Sequence, residues 1–95
     1  MSLFNLKNKS FLITGSSKGI GKSIAFHAAS HGAQVIISSR KIDACKNTAN
    51  EINDELGSEL AFPIAGNIAH ESELINLVDE TNKLLGKICL LYTSP

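Results

Sequence analysis

Tryptophan is absent, tyrosine occurs once and phenylalanine four times in these 95 residues. A core built from this chain is therefore aliphatic, as suits a parallel sheet packed under helices. Charge of one sign is also lacking. Nine basic and nine acidic residues cancel, and no basic run occurs, which argues against a nucleic-acid backbone or a membrane surface as partner. The only cysteines, Cys45 and Cys89, have neither zinc-ligand nor redox spacing and fit a reducing cytosol better than a disulfide scaffold. No apolar stretch approaches membrane-spanning length. Residues 1–10 carry Asn5, Lys7, Asn8 and Lys9 where a signal peptide would have its apolar core. With 43% apolar residues, disorder is not expected, and a cytoplasmic globular chain is.

What is present is regularly punctuated. Phe11-Leu12-Ile13 is a short apolar run before a glycine-rich stretch, the pattern of a buried strand. Ile20, Ile24 and Ala28, with Ala25 and Ala29, have helical spacing that stops near His31-Gly32. Val35-Ile36-Ile37 is an uninterrupted β-branched run, expected as a second buried strand. Ile42, Cys45, Ala49, Ile52 and Leu56 form an amphipathic helical stripe closed by Gly57. Leu60-Ala61-Phe62-Pro63-Ile64 predicts a third strand, at a sheet edge because of Pro63. A last helical stripe, Leu74, Leu77, Val78, Thr81 and Leu85, begins at acidic Glu71 and Glu73 and stops near Gly86. A fourth strand is expected from Ile88 to Leu91.

The βαβαβαβ order calls for an α/β fold with a parallel sheet and crossover helices. Right-handed crossovers put the first two helices on one face and return the third to the other, so the expected strand order is 3-2-1-4. That is an incomplete three-layer αβα unit, the N-terminal half of a doubly wound domain, with the switch point beside the glycine-rich turn.

That turn, Thr14-Gly15-Ser16-Ser17-Lys18-Gly19-Ile20-Gly21, joins a predicted strand to a predicted helix. A dinucleotide pyrophosphate needs close backbone approach, free amide donors and the positive end of a helix. Glycines at 15, 19 and 21 answer these needs through a tight turn, no Cβ against the phosphates and close helix–strand contact. The spacing is G-x-x-x-G-x-G, not the general G-x-G-x-x-G. Gly21-Lys22-Ser23 copies the end of a P-loop, but five residues separate Gly15 from Gly21 where that motif has four, and no strand ends in a magnesium-binding acid.

With Thr14 before it and Ile20 inside it, the turn resembles the T-G-x-x-x-G-I-G of the short-chain dehydrogenase/reductase family. The resemblance continues through the lead-in at residues 4–9, through Asn67-Ile68 at the family's adenine position, and through Leu85-Gly86-Lys87-Ile88 before the fourth strand. It implies a Rossmann-type fold. It also implies a nicotinamide dinucleotide held by Gly15, Ser16, Ser17, Lys18, Gly19, Ile20, Gly21, Ser39, Arg40, Asn67 and Ile68. The parent protein would be a homo-oligomeric oxidoreductase acting on a small carbonyl or alcohol substrate. A non-catalytic nucleotide-sensing module is the alternative.

After the second strand an NAD enzyme presents an acid to the ribose diol, whereas this chain reads Ser38-Ser39-Arg40-Lys41. A guanidinium cannot accept from a diol, but its planar fork suits a 2′-phosphate. In the resembling family a basic residue at the place of Lys18 also marks NADP users, so NADP(H) is expected over NAD(H). The plainer alternative makes Arg40 and Lys41 a solvated helix start. Asn67 stands where the family has Asp; its carbonyl oxygen could accept from the adenine amino group, or it is an ordinary turn residue. His27 and His31, four apart on a predicted helix, lack a third ligand nearby and are expected to be surface or interface residues, with no metal site.

The family's chemistry uses a Ser, an Asn and a Tyr-x-x-x-Lys pair, in which the lysine lowers the tyrosine pKa for proton transfer. The one tyrosine is Tyr92, and its lysine would be residue 96, so no catalytic residue is assigned and the 95-residue chain is expected to be inactive. Left without later helices, its sheet would be partly uncovered and prone to association. Residues 89–95, Cys-Leu-Leu-Tyr-Thr-Ser-Pro, resemble the translation of a transposase adapter used in sequencing libraries. The expected domain is therefore 1–88, followed by a non-native tail. Resequencing the locus with a different library chemistry should replace these seven residues, and a gene that truly encodes them before its stop codon would refute the expectation.

Overall fold

The computed structural model describes residues 6–15, 17, 19–86 and 90–92. The elements run β1 (Ser10–Thr14), α1 (Gly19–Ser30), β2 (Gln34–Ser38), α2 (Ile42–Leu56), β3 (Ala61–Pro63), α3 (Glu71–Leu85) and β4 (Leu90–Tyr92). All pairings are parallel, and the strand order is β3-β2-β1-β4, as expected from the crossover rule. Leu12 lies beside Ile36, and Ile36 beside Phe62, so one register runs across three strands.

Alternation along the strands divides the core in two. Ile13, Val35, Ile37 and Ala61 face α1 and α2, where Ala25, Ala28, Ala29, Cys45, Ala49 and Ile52 meet them. Leu12 and Ile36 face the other way and pack with Leu77 of α3, flanked by Phe62, Ile64, Val78 and Leu85. Alanines on α1 allow it to lie close to the sheet, while the larger side chains come from the strands. Each fully buried Ile or Leu contributes about 1.5–3 kcal/mol relative to exposure, so both faces matter to stability.

The helix ends follow their punctuation. After α1, Gly32 and Ala33 donate to the carbonyls of Ala29 and Ala28, the paired bonds of a Schellman stop. Gly32 has φ +100°, and a Cβ there would meet the Lys7 backbone nitrogen at 3.2 Å. The residue is thus constrained twice, by handedness and by the chain lead-in crossing over it. Pro63 sits on the edge strand as expected. Leu60 and Ile64 bond β2 through their own backbone groups, so by alternation the position of Pro63 that lacks an N–H faces the open edge.

Two boundaries differ from expectation. The third strand, Ala61–Pro63, is shorter than 60–64, although Ile64 and Gly66 still donate to the Ile37 and Ser39 carbonyls, at 3.1 and 2.9 Å, along the line of β2. The fourth strand is described over Leu90–Tyr92, one residue past its expected end and inside the segment that reads as a foreign tail, while its expected start at Ile88 lies outside the described residues. Its pairing with β1 is made by backbone groups, which suit many sequences, and so speaks to geometry and not to origin. Lys87, Ile88, Cys89 and residues 93–95 lie outside the described residues, as do Ser16 and Lys18 of the glycine-rich turn.

One clamp was not anticipated. Asn53 of α2 accepts at Oδ1 from the Leu60 and Ala61 N–H groups, at 2.9 and 2.8 Å, and donates through Nδ2 to Ala61 O at 2.9 Å. This side chain ties the helix to the entry of β3. Asn53→Ala should cost about 2 kcal/mol by leaving partly buried backbone groups unsatisfied. Urea unfolding followed by circular dichroism at low protein concentration should show a lowered midpoint.

Candidate functional site

Parallel strands joined by helices gather their outgoing turns at one end of the sheet, and those of the expected binding residues that are described lie there on three segments. The first is the turn from β1 into α1. Gly15 and Gly19 have φ of +66° and +64°, backbone conformations that L side chains adopt only with strain. A Cβ at Gly19 would meet nothing within 4 Å, so this side of the turn is open to an approaching group. Gly21 is buried within α1, as close helix–strand contact demands.

The helix start suits an anion. The first turn of α2 contains Asp43 and that of α3 contains Glu71 and Glu73, whereas the first turn of α1 has no acid. No acid of that turn offsets its positive end, which suits a phosphate. Ile20 is 73% exposed there, an apolar surface beside the turn. Lys22 points elsewhere. Its Nζ lies 2.6 Å from Glu51 Oε2 on α2, so it serves as an interhelical ion pair and not as a P-loop lysine.

The second segment leaves β2. Ser38 is buried, Ser39 half-buried and Arg40 exposed. Ser39 Oγ accepts from the Lys41 N–H at 3.3 Å and lies 3.2 Å from Cys45 Sγ, which fixes the bend into α2. Among the described residues neither Arg40 nor Lys41 forms an ion pair. The third segment follows β3. Its Gly66 bond to Ser39 O joins it to the second segment, and Ile68 is 36% exposed.

Asn67 is committed locally in a way the sequence did not suggest. Its Oδ1 accepts from the Ala69 N–H at 3.0 Å, and its own N–H donates to Glu73 Oε1 at 3.1 Å. The oxygen expected to meet an adenine therefore closes an Asx turn, using one of its two lone pairs. Thr48, which sequence reasoning passed over, reaches the first segment: its Oγ1 donates to Ser17 O at 2.9 Å. Its only sequence signal was a hydroxyl on an otherwise apolar helical stripe. A groove lined by Gly19, Lys22, Ser23 and Phe26 of α1 opens beside the glycine-rich turn. It lies between α1 and α2 and is rimmed by Glu51, Asp54 and Glu55, which would repel a pyrophosphate.

Among the described residues, no helix is long and apolar enough to cross a membrane. The family model for short chain dehydrogenase matches residues 9–94. The 7α-hydroxysteroid dehydrogenase of Escherichia coli is 40% identical over 89 residues, covering 94% of this chain and 34% of that protein. The crystal structure of a hydroxysteroid dehydrogenase from Escherichia coli superposes with a TM-score of 0.87 at 38% identity, over 95% of this chain and 37% of the other. Two cofactor complexes are also similar. The 3-ketoacyl-(acyl-carrier-protein) reductase of Brucella melitensis with NADH gives 0.82 at 30% identity, over 92% and 34% of the two chains. L-Sorbose reductase of Gluconobacter frateurii with NADPH and L-sorbose gives 0.85 at 26%, over 93% and 33%. The chain spans about a third of the length of the curated relatives it matches.

Gly19→Ala separates backbone strain from ligand exclusion. With no atom within 4 Å of the added Cβ, the ligand-free chain should lose only about 1–2 kcal/mol for the left-handed backbone. Affinity for a reduced nicotinamide dinucleotide, read by cofactor fluorescence, should fall at least about tenfold, a loss of roughly 1.4 kcal/mol, if the methyl enters the space a phosphate would use.

Proposed function

Because the chain belongs to the short-chain dehydrogenase family, we propose that it forms the NADP(H)-binding half of an oxidoreductase. The parent enzyme transfers a hydride between the nicotinamide cofactor and a carbonyl or alcohol substrate. Its proton-transferring residues belong to a part of the protein other than these 95 residues, and the chain alone turns over no substrate. The observation that carries the cofactor assignment is Arg40, exposed at the carboxyl end of β2 and engaged in no ion pair among the described residues.

Relatives of similar fold occur with NADH and with NADPH, so the fold does not discriminate and the choice rests on local charge. On this reading the 15–21 turn and the amino end of α1 hold the pyrophosphate. Arg40, aided by Lys18, pairs with the 2′-phosphate. Ser39 shapes the bend that presents Arg40, and Ile68 lies against the adenine, with Asn67 supporting that loop through its Asx turn. The bound cofactor donates or accepts the hydride; the residues of this chain bind and orient it.

A charge-assisted bond contributes about 1.5–3 kcal/mol, or roughly ten- to a hundredfold in affinity. Arg40→Asp should weaken NADPH binding by that factor and leave NADH binding equal or improved, as measured by fluorescence titration of both cofactors. Equal affinities of the unaltered chain for NADPH and NADH, or no change in preference on substitution, would overturn the assignment.

A further inference from the structure

We infer that Thr48 is a positioning residue for the cofactor, holding the glycine-rich turn in its binding conformation from the neighbouring helix; this rests on the dinucleotide-binding reading above. Thr48 is 3% exposed at the centre of α2, on the same stripe as Cys45, Ala49 and Ile52. Packing alone favours an aliphatic residue there, and threonine is a poor helix former. A mid-helix threonine hydroxyl commonly bonds back to its own helix, whereas Thr48 Oγ1 donates to Ser17 O at 2.9 Å, 31 residues away in sequence.

Ser17 lies between Gly15 and Gly19, both left-handed. Glycine lends the turn this shape but also freedom to leave it, so the turn is entropically costly to order on binding. A bond to the Ser17 carbonyl holds the whole planar peptide unit it belongs to. One helical turn earlier, Cys45 Sγ lies 3.2 Å from Ser39 Oγ. A single face of α2 therefore touches both the pyrophosphate turn and the segment that presents Arg40, and it sets their separation.

The test compares Thr48→Val, which keeps the shape and removes the hydroxyl, with Thr48→Ser, which keeps the hydroxyl. Three readouts are taken on the full chain: hydrogen exchange of residues 15–21 without ligand, NADPH affinity, and affinity for 2′-AMP, which lacks the pyrophosphate. Thr48→Val should exchange faster in the turn and bind NADPH about tenfold more weakly, as expected for one lost hydrogen bond. Its 2′-AMP affinity should hold, and Thr48→Ser should behave as wild type. Unchanged turn exchange and NADPH affinity in Thr48→Val would overturn the inference. So would an equal loss of 2′-AMP binding, which marks general damage, or a failure of Thr48→Ser to restore the turn. A wild-type chain that binds no NADPH defeats the cofactor reading instead, and turn exchange still decides whether Thr48 holds the turn.

Discussion

Parallel pairing of β1 with β2 on one side and β4 on the other is the constraint from which the remaining architecture follows. A parallel neighbour cannot be reached by a hairpin, so the chain must cross the sheet through a helix each time. Every strand then ends at the same end of the sheet, and every outgoing turn is delivered there. The glycine-rich turn, the Ser39-Arg40 bend and the Asn67-Ile68 loop are distant in sequence and adjacent in space for this reason alone. The reversal of direction at β1, with β2 to one side and β4 to the other, leaves the first turn between diverging connections, where a ligand has room.

Within that frame α2 does more than cover the sheet. Its apolar stripe packs on Val35, Ile37 and Ala61, and three polar side chains on it reach separate loops. Asn53 holds the entry to β3, Thr48 holds the glycine-rich turn, and Cys45 adjoins Ser39. Hydrogen bonds from a rigid helix to irregular backbone satisfy groups that would otherwise need water, and they reduce the freedom of loops that glycine loosens. Among the described residues the opposite face is packed by α3, with Leu77 as its fully buried contact to Leu12 and Ile36.

Much of the fold was legible because it depends on local periodicity. Continuous runs such as Val35-Ile36-Ile37 signal a strand buried on both faces, and the alternating gaps of three and four from Ile42 to Leu56 signal one helical face. Gly32 and Gly57 mark stops because few other residues accept their backbone angles. Boundaries were less legible where tertiary bonds decide them. Past β3, Ile64 and Gly66 still bond Ile37 and Ser39, and the described part of β4 takes its register from β1, with Phe11 beside Leu90. The candidate site was legible in its glycines and in Arg40, whose chemistry is intrinsic to the residue. It was illegible in Asn67, because whether a side-chain oxygen turns to its own backbone or outward depends on loop geometry.

By itself, the sequence determined the order of elements, the parallel sheet, the glycine-rich turn and the cation where an acid would select the ribose diol. Each of these is encoded in residue type and spacing along the chain. Only the tertiary structure decided how the three segments are braced. Thr48 and Ser17 are separated by 31 positions, and no local pattern connects them. Their bond exists because sheet register and helix packing bring α2 alongside the turn, and that approach distance is a property of the assembled core.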